Sequence, residues 1–142
     1  MSIEESRYRP FEEASHSISH GIGALLSVVG TVLIWQKAHS MADWQQFAAA
    51  LLFGFSLILL YTCSACYHGS MVAKTKARWR KLDHAAIYVL IAGTYTPFTM
   101  ISMRDSWGFD LVLVIWAVAI AGVMMEFVAH LKFTKLSLVL YL

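Results

Sequence analysis

Charge is what this sequence has least of. Asp, Glu, Lys and Arg make up 14% of its 142 residues, against roughly 25% in an ordinary globular domain. Hydrophobic residues reach 58% and the mean hydropathy is +0.61. So few polar residues cannot cover so large an apolar interior in water, which points to the bilayer as the solvent rather than to a soluble fold. The net charge of +2 is small and scattered, which argues against a nucleic-acid partner. Met1 to Glu13 is polar and acid-rich, with no apolar core before residue 18, so a cleavable signal peptide is not expected. The two cysteines, Cys63 and Cys66, lie three residues apart in an apolar run. They lack the βαβ context of a redox pair and read as packing thiols.

What is present is a series of membrane-length apolar runs. After a polar lead over residues 1–15, broken by Pro10, the first span covers residues 17–36. About twenty residues at a rise of about 1.5 Å cross a hydrocarbon core of about 30 Å. Gly23, Ser27 and Thr31 recur every four residues along it, a stripe suited to close helix packing. Further spans cover residues 46–68, 84–103 and 108–128. Pro97 lies four residues after Gly93, where it removes a helix hydrogen bond and predicts a kink; the flanking threonines can satisfy the freed backbone groups. A fifth apolar run starts at residue 136, and a chain stopping within it is expected to be a fragment of a larger bundle.

The fold class is therefore all-α and integral to a membrane, with four complete spans and the start of a fifth. Lys and Arg set its orientation. Arg7 and Arg9, then Lys74, Lys76, Arg78, Arg80 and Lys81 in a loop over residues 69–82, then Lys132 and Lys135, all fall at one face. Only Lys37 and Arg104 fall at the other. Cytoplasmic segments are the Lys/Arg-rich ones, so the N-terminus is expected in the cytoplasm.

Polar residues converge at that same end. The first span carries Glu13, His16 and His20, the second Ser64 and His68, the third Asp83 and His84, and the fourth Glu126 and His130. Intramembrane ionisable groups are costly and read as functional by default. Each also has a plainer role. His16, His84 and His130 could sit in headgroup water, Glu126 could pair with Lys132, and Asp83 could cap the third helix. Ser64 and His68, one turn apart, share a helix face, although Ser64 could bond its own helix. Imidazoles with a carboxylate and a hydroxyl suit a metal-assisted hydrolytic site. His16, His20 and His68 form one conceivable three-ligand set. A site at the polar boundary suits a lipid with a buried tail and an accessible head.

At these residues the chain resembles the hemolysin III family, bacterial relatives of the progestin and adiponectin receptors and, more distantly, of alkaline ceramidases. The resemblance runs from Glu12-Glu13 and Ser19-His20-Gly21-Ile22-Gly23, through Ser64-x-x-x-His68, to Asp83-His84-Ala-Ala-Ile-Tyr and Ile91-Ala-Gly-Thr-Tyr-Thr-Pro97. It continues through Trp116 to the region of Lys132 and Leu136-Ser137-Leu138. It implies a seven-helix bundle in the bacterial inner membrane with a cytoplasmic N-terminus. It also implies a Zn²⁺ site near the cytoplasmic ends, held by the histidine of the S-x-x-x-H motif and two from an H-x-x-x-H motif in the last helix. Carried over, His68 is a zinc ligand, and Ser64 and Asp83 support the metal or act in catalysis. His16-x-x-x-His20 lies at the wrong end of the chain to be the second motif.

Two functions are compatible with that resemblance. One is a zinc-dependent hydrolase of a lipid amide or ester. The other is a non-enzymatic membrane protein that perturbs bilayers or senses a ligand. With one of three ligands, this chain alone is expected to bind Zn²⁺ weakly.

Overall fold

A computed structural model of the chain describes residues 9–128. The described residues form helices throughout: α1 (Pro10–Ser40), α2 (Trp44–Gly69), α3 (Ala73–Pro97), a π-helical turn (Phe98–Ser102) and α4 (Gly108–Val128). All four α-helices are long and apolar enough to cross a membrane. Short connections make consecutive helices antiparallel neighbours, and each packs on the next in chain order. The spans expected at residues 17–36, 46–68, 84–103 and 108–128 lie within these elements. The run from residue 136, with His130, Lys132 and Lys135, falls outside the described residues.

Two helix starts differ from the sequence reading. Pro10 does not break a polar lead; it opens α1 at a position where its missing N–H costs nothing. The Glu12 carboxylate then accepts the Arg9 backbone N–H at 2.9 Å, and Glu13 and His16 become helical residues. The basic stretch is likewise no loop. Only Ser70–Val72 connect α2 to α3, and Lys74 to Lys81 form the first turns of α3. Ala, Lys and Arg are good helix formers, so a segment too polar for hydrocarbon is still helical in the headgroup layer. Asp83 therefore lies well inside α3 and does not cap it.

Small residues set the helix spacing. The stripe Gly23, Ser27, Thr31 does face α2: a Cβ on Gly23 would meet the Tyr61 ring at 2.8 Å, and Gly54 of α2 lies against Thr31. Ser27 is buried there. Gly93 of α3 faces Ser56 of α2 so closely that any side chain would displace it. Its missing Cβ thus serves a helix crossing, not only the neighbouring proline. On the other side of α3, Tyr88 packs on Ala92 and Ala119, with Gly122 of α4 against its ring.

The sequence places the disturbance from Pro97 at Gly93–Pro97. The backbone instead stays α-helical through Pro97 and widens afterwards into the π turn, a frequent response of a helix to an interrupted hydrogen-bond ladder. The threonine hydroxyls bond nearby carbonyls, none of them that of Gly93, the one Pro97 leaves without its helix N–H. Thr96 donates to Ala92 O at 2.7 Å and Thr99 to Tyr95 O at 2.9 Å. Trp116 of α4 then donates its indole N–H to Thr96 Oγ1 at 3.0 Å, tying α4 to this region.

At this end the α1–α2 turn is closed by Asp43, which accepts the backbone N–H groups of Gln45 and Gln46 and pairs with Arg104 beyond the π turn. The outward surfaces of α1 and α4, with Leu25, Leu26 and Leu33 and with Leu113, Val114 and Val118, are exposed and apolar. Such surfaces suit acyl chains or further helices.

Candidate functional site

The site is built where α1 and α2 meet at the end away from Asp43. Glu13, His16 and His20 follow one another at steps of three and four, so they share the α1 face that continues to Ser27 and Thr31. That face is held against α2 by Ser17, whose hydroxyl donates to Ala65 O at 3.0 Å. Gly69 leaves room for the same hydroxyl. His68, in the last turn of α2, is thereby brought onto the α1 polar face.

Glu13 is the centre of the arrangement. His68 Nδ1 donates to Glu13 Oε2 at 2.8 Å, and Lys76 Nζ of α3 reaches Glu13 Oε1 at 2.7 Å. Three helices therefore meet at one carboxylate, which is buried. A buried carboxylate needs such compensation, since an unpaired charge there would carry a large desolvation cost. The His16 and His20 rings lie 5.0 and 6.0 Å from the His68 ring, centre to centre. Tyr61 stands 5.7 Å from His20, and Tyr67 lies beside His68 with Lys76 over its face. His20 Nδ1 is buried and has no hydrogen-bond partner among the described residues.

Ser64 is buried one turn before His68 on α2. Asp83 is half-buried on α3 and within electrostatic reach of His20, Cys63 and Tyr67. It shares the inward face of α3 with Lys76 and Arg80, at steps of three and four. His84 is engaged with α4, its Nδ1 3.3 Å from Glu126 Oε1. The sequence suggests Lys132 as a partner for Glu126; the described partner is His84. Cys63 and Cys66 are free thiols.

Glu13 appears in the sequence as one polar residue among several, and Lys76 only as part of a basic count. The signal for Glu13 was its seven-residue spacing to His20 on a face shared with His16. For Lys76 it was the four- and three-residue spacing to Arg80 and Asp83, legible once the segment is taken as a helix.

These residues meet a zinc site only in part. Among the described residues no group of three His, Cys, Asp or Glu side chains is placed to hold a metal ion, so neither the three imidazoles nor any other set here makes a site alone. His68 fits as a single ligand. Metal-binding imidazoles almost always give their second ring nitrogen to a carboxylate or carbonyl, and Glu13 takes Nδ1 in that way. The Nε2 atom would then be the ligating one.

Comparisons with known proteins give the family. Residues 8–142 match the family described as Haemolysin-III related. The chain is 37% identical over 131 residues to the Hemolysin-3 homolog of Bacillus subtilis, covering 92% of this chain and 62% of that protein. It is also 37% identical to Hemolysin-3 of Bacillus cereus, covering 92% and 60%. A likeness of 26% extends to the human Monocyte to macrophage differentiation factor, over 96% of this chain and 59% of the relative. The chain thus spans about three fifths of the length of the curated relatives it matches. No solved structure matches it. With four membrane-length helices in chain order and a family match over nearly its whole length, the chain is a multi-pass membrane protein that belongs to the Haemolysin-III related family.

Proposed function

We propose that the complete protein is a zinc-dependent hydrolase of a lipid amide or ester, with its reacting centre at the cytoplasmic end of a seven-helix bundle in the bacterial inner membrane. The observation that carries this reading is the Glu13–His68 bond, backed by Lys76. An imidazole fixed in one tautomer by a buried carboxylate is prepared to ligate a metal through its other nitrogen.

Each residue then has a task. Glu13 orients His68, and Lys76 balances the Glu13 charge. His68 supplies one ligand, and the others come from outside the described residues. Zn²⁺, when bound, would supply Lewis acidity and acidify a water for attack. Asp83 takes a proton from the attacking water and returns it to the leaving amine or alkoxide. Ser64 donates a hydrogen bond that orients the water or the substrate carbonyl. The lipid tail is accommodated by the apolar flanks of the helices, which keep its head at the polar boundary.

Turnover of lipid amides and esters by the reconstituted complete protein tests this. The expected result is hydrolysis that stops on chelation and returns with added Zn²⁺. Zinc-loaded protein that cleaves neither class would overturn it. The cytoplasmic placement is tested separately with a reporter inserted in Ser70–Val72 that fluoresces in the cytoplasm and stays dark after export; fluorescence is expected, and a dark reporter on membrane-inserted protein would reverse the placement.

The name of the Bacillus cereus relative, Hemolysin-3, favours a second reading, a membrane-perturbing or ligand-sensing protein without turnover. Dye release from vesicles separates the two. Release that is equal for the native protein and a His68→Ala variant, with no hydrolysis, supports the second.

A further inference from the structure

Because residues 74–81 are helical, their basic side chains sort onto two faces of α3. Lys76 and Arg80, with Asp83, take the inward face that meets Glu13 and Tyr67. Lys74, Arg78 and Lys81, at steps of four and three, fall within about 60° of one another on the opposite face. Lys74 and Arg78 are exposed and Lys81 is half-buried; Arg80, at the rim of the inward face, is exposed as well. None of the ion pairs among the described residues involves any of the three. The apolar part of α3 begins just after Lys81, so this stripe lies at the edge of the hydrocarbon. Immediately before the helix, Met71 and Val72 are 96% and 64% exposed.

We propose that the outward stripe Lys74–Arg78–Lys81 is a binding surface for anionic phospholipid headgroups in the leaflet where α2 ends and α3 begins. Three cations on one helix face without a carboxylate partner attract phosphates at the same depth. The long side chains can lay their stems along the apolar boundary and raise their charges to the headgroups. A headgroup bound outside also steadies the helix whose inner face places Lys76 on Glu13. The surface is independent of the hydrolytic reading, since it needs neither metal nor turnover.

The test is spin-label resonance on the protein reconstituted in phosphatidylcholine vesicles, comparing immobilised spin-labelled phosphatidylglycerol with spin-labelled phosphatidylcholine. The expected result is a preference of about fivefold or more for the anionic lipid, the ratio that ~1 kcal/mol from even one juxtamembrane basic residue supplies. Lys74→Gln/Arg78→Gln/Lys81→Gln should bring the ratio to near one, while Lys37→Gln leaves it unchanged. Should the triple variant not fold, the native protein in 1 M salt serves: a Debye length of about 3 Å should abolish the preference there. A preference that survives the triple change or the high salt overturns the proposal. So does one that soluble glycerol phosphate at millimolar concentration removes, because that marks a free-phosphate site and not a lipid surface.

Discussion

His68 and Glu13 are fifty-five residues apart in sequence, and His68 Nδ1 lies 2.8 Å from Glu13 Oε2. Their side chains are only 12% and 11% exposed. The bond joins the first turn of α1 to the last turn of α2, and Lys76 extends it to the first turn of α3. It therefore acts both as a fastening of three helices and as the orienting contact of the one imidazole that the family resemblance makes a ligand.

Glu13→Gln keeps the shape of that side chain and removes its charge. Lys76 loses its partner in a partly dry setting, so the variant should lose about 1–3 kcal/mol of stability. In the complete protein it should also weaken Zn²⁺ about 10- to 100-fold, as loss of a carboxylate behind a ligand usually does. Thermal unfolding in detergent and zinc titration read the two effects. Unchanged values in both would remove Glu13 from the centre of the site.

Gly93 is needed for the approach of α3 to α2 at Ser56. Gly93→Ala should destabilise by about 1–3 kcal/mol through overpacking, and Gly93→Leu by more. Ser56→Gly in the same chain should recover part of the Gly93→Ala loss, because the two positions are in contact and couple. Full additivity in a double-mutant cycle would mean that the glycine serves the proline turn alone.

Arg104, by its hydrogen bond to the carboxylate, holds Asp43 below the ordinary value of 3.8. A depressed folded-state pKa contributes stability that is present above 3.8 and is lost as pH falls through the lower folded value. The turn between α1 and α2 should therefore loosen only below about pH 4. Arg104→Gln should raise the Asp43 pKa and shrink that acid-dependent part. Unfolding midpoints between pH 2 and 6 check this; identical pH profiles for the two proteins would contradict it.

The four spans are legible in the sequence because hydropathy over twenty residues is a strong and local signal. The Gly23–Ser27–Thr31 stripe is legible for the same reason, since its period is that of the helix. The start of α3 is not legible by hydropathy: Lys74 to Lys81 look like a loop when only apolar length is counted, although their helix propensity was there to read. Nor does the sequence disclose that Glu13 meets His68 and Lys76. That depends on the crossing of three helices, fixed by small residues at Gly23, Gly54, Gly69 and Gly93 whose partners lie far along the chain. The widening after Pro97 is likewise a tertiary outcome, settled by how Thr96, Thr99 and Trp116 share the carbonyls and hydroxyls around it.

Calorimetric titration of Zn²⁺ into the 142-residue chain and into the complete protein, each with and without His68→Ala, tests the central claim most directly. A single imidazole competes poorly with water, and a catalytic zinc normally has three protein ligands. The account predicts weak binding by the 142-residue chain, tight one-to-one binding by the complete protein, and loss of most of that affinity in His68→Ala. Tight stoichiometric binding by the 142-residue chain would instead assign the metal to His16, His20 and His68, and tight binding by the complete protein that survives His68→Ala would contradict the account.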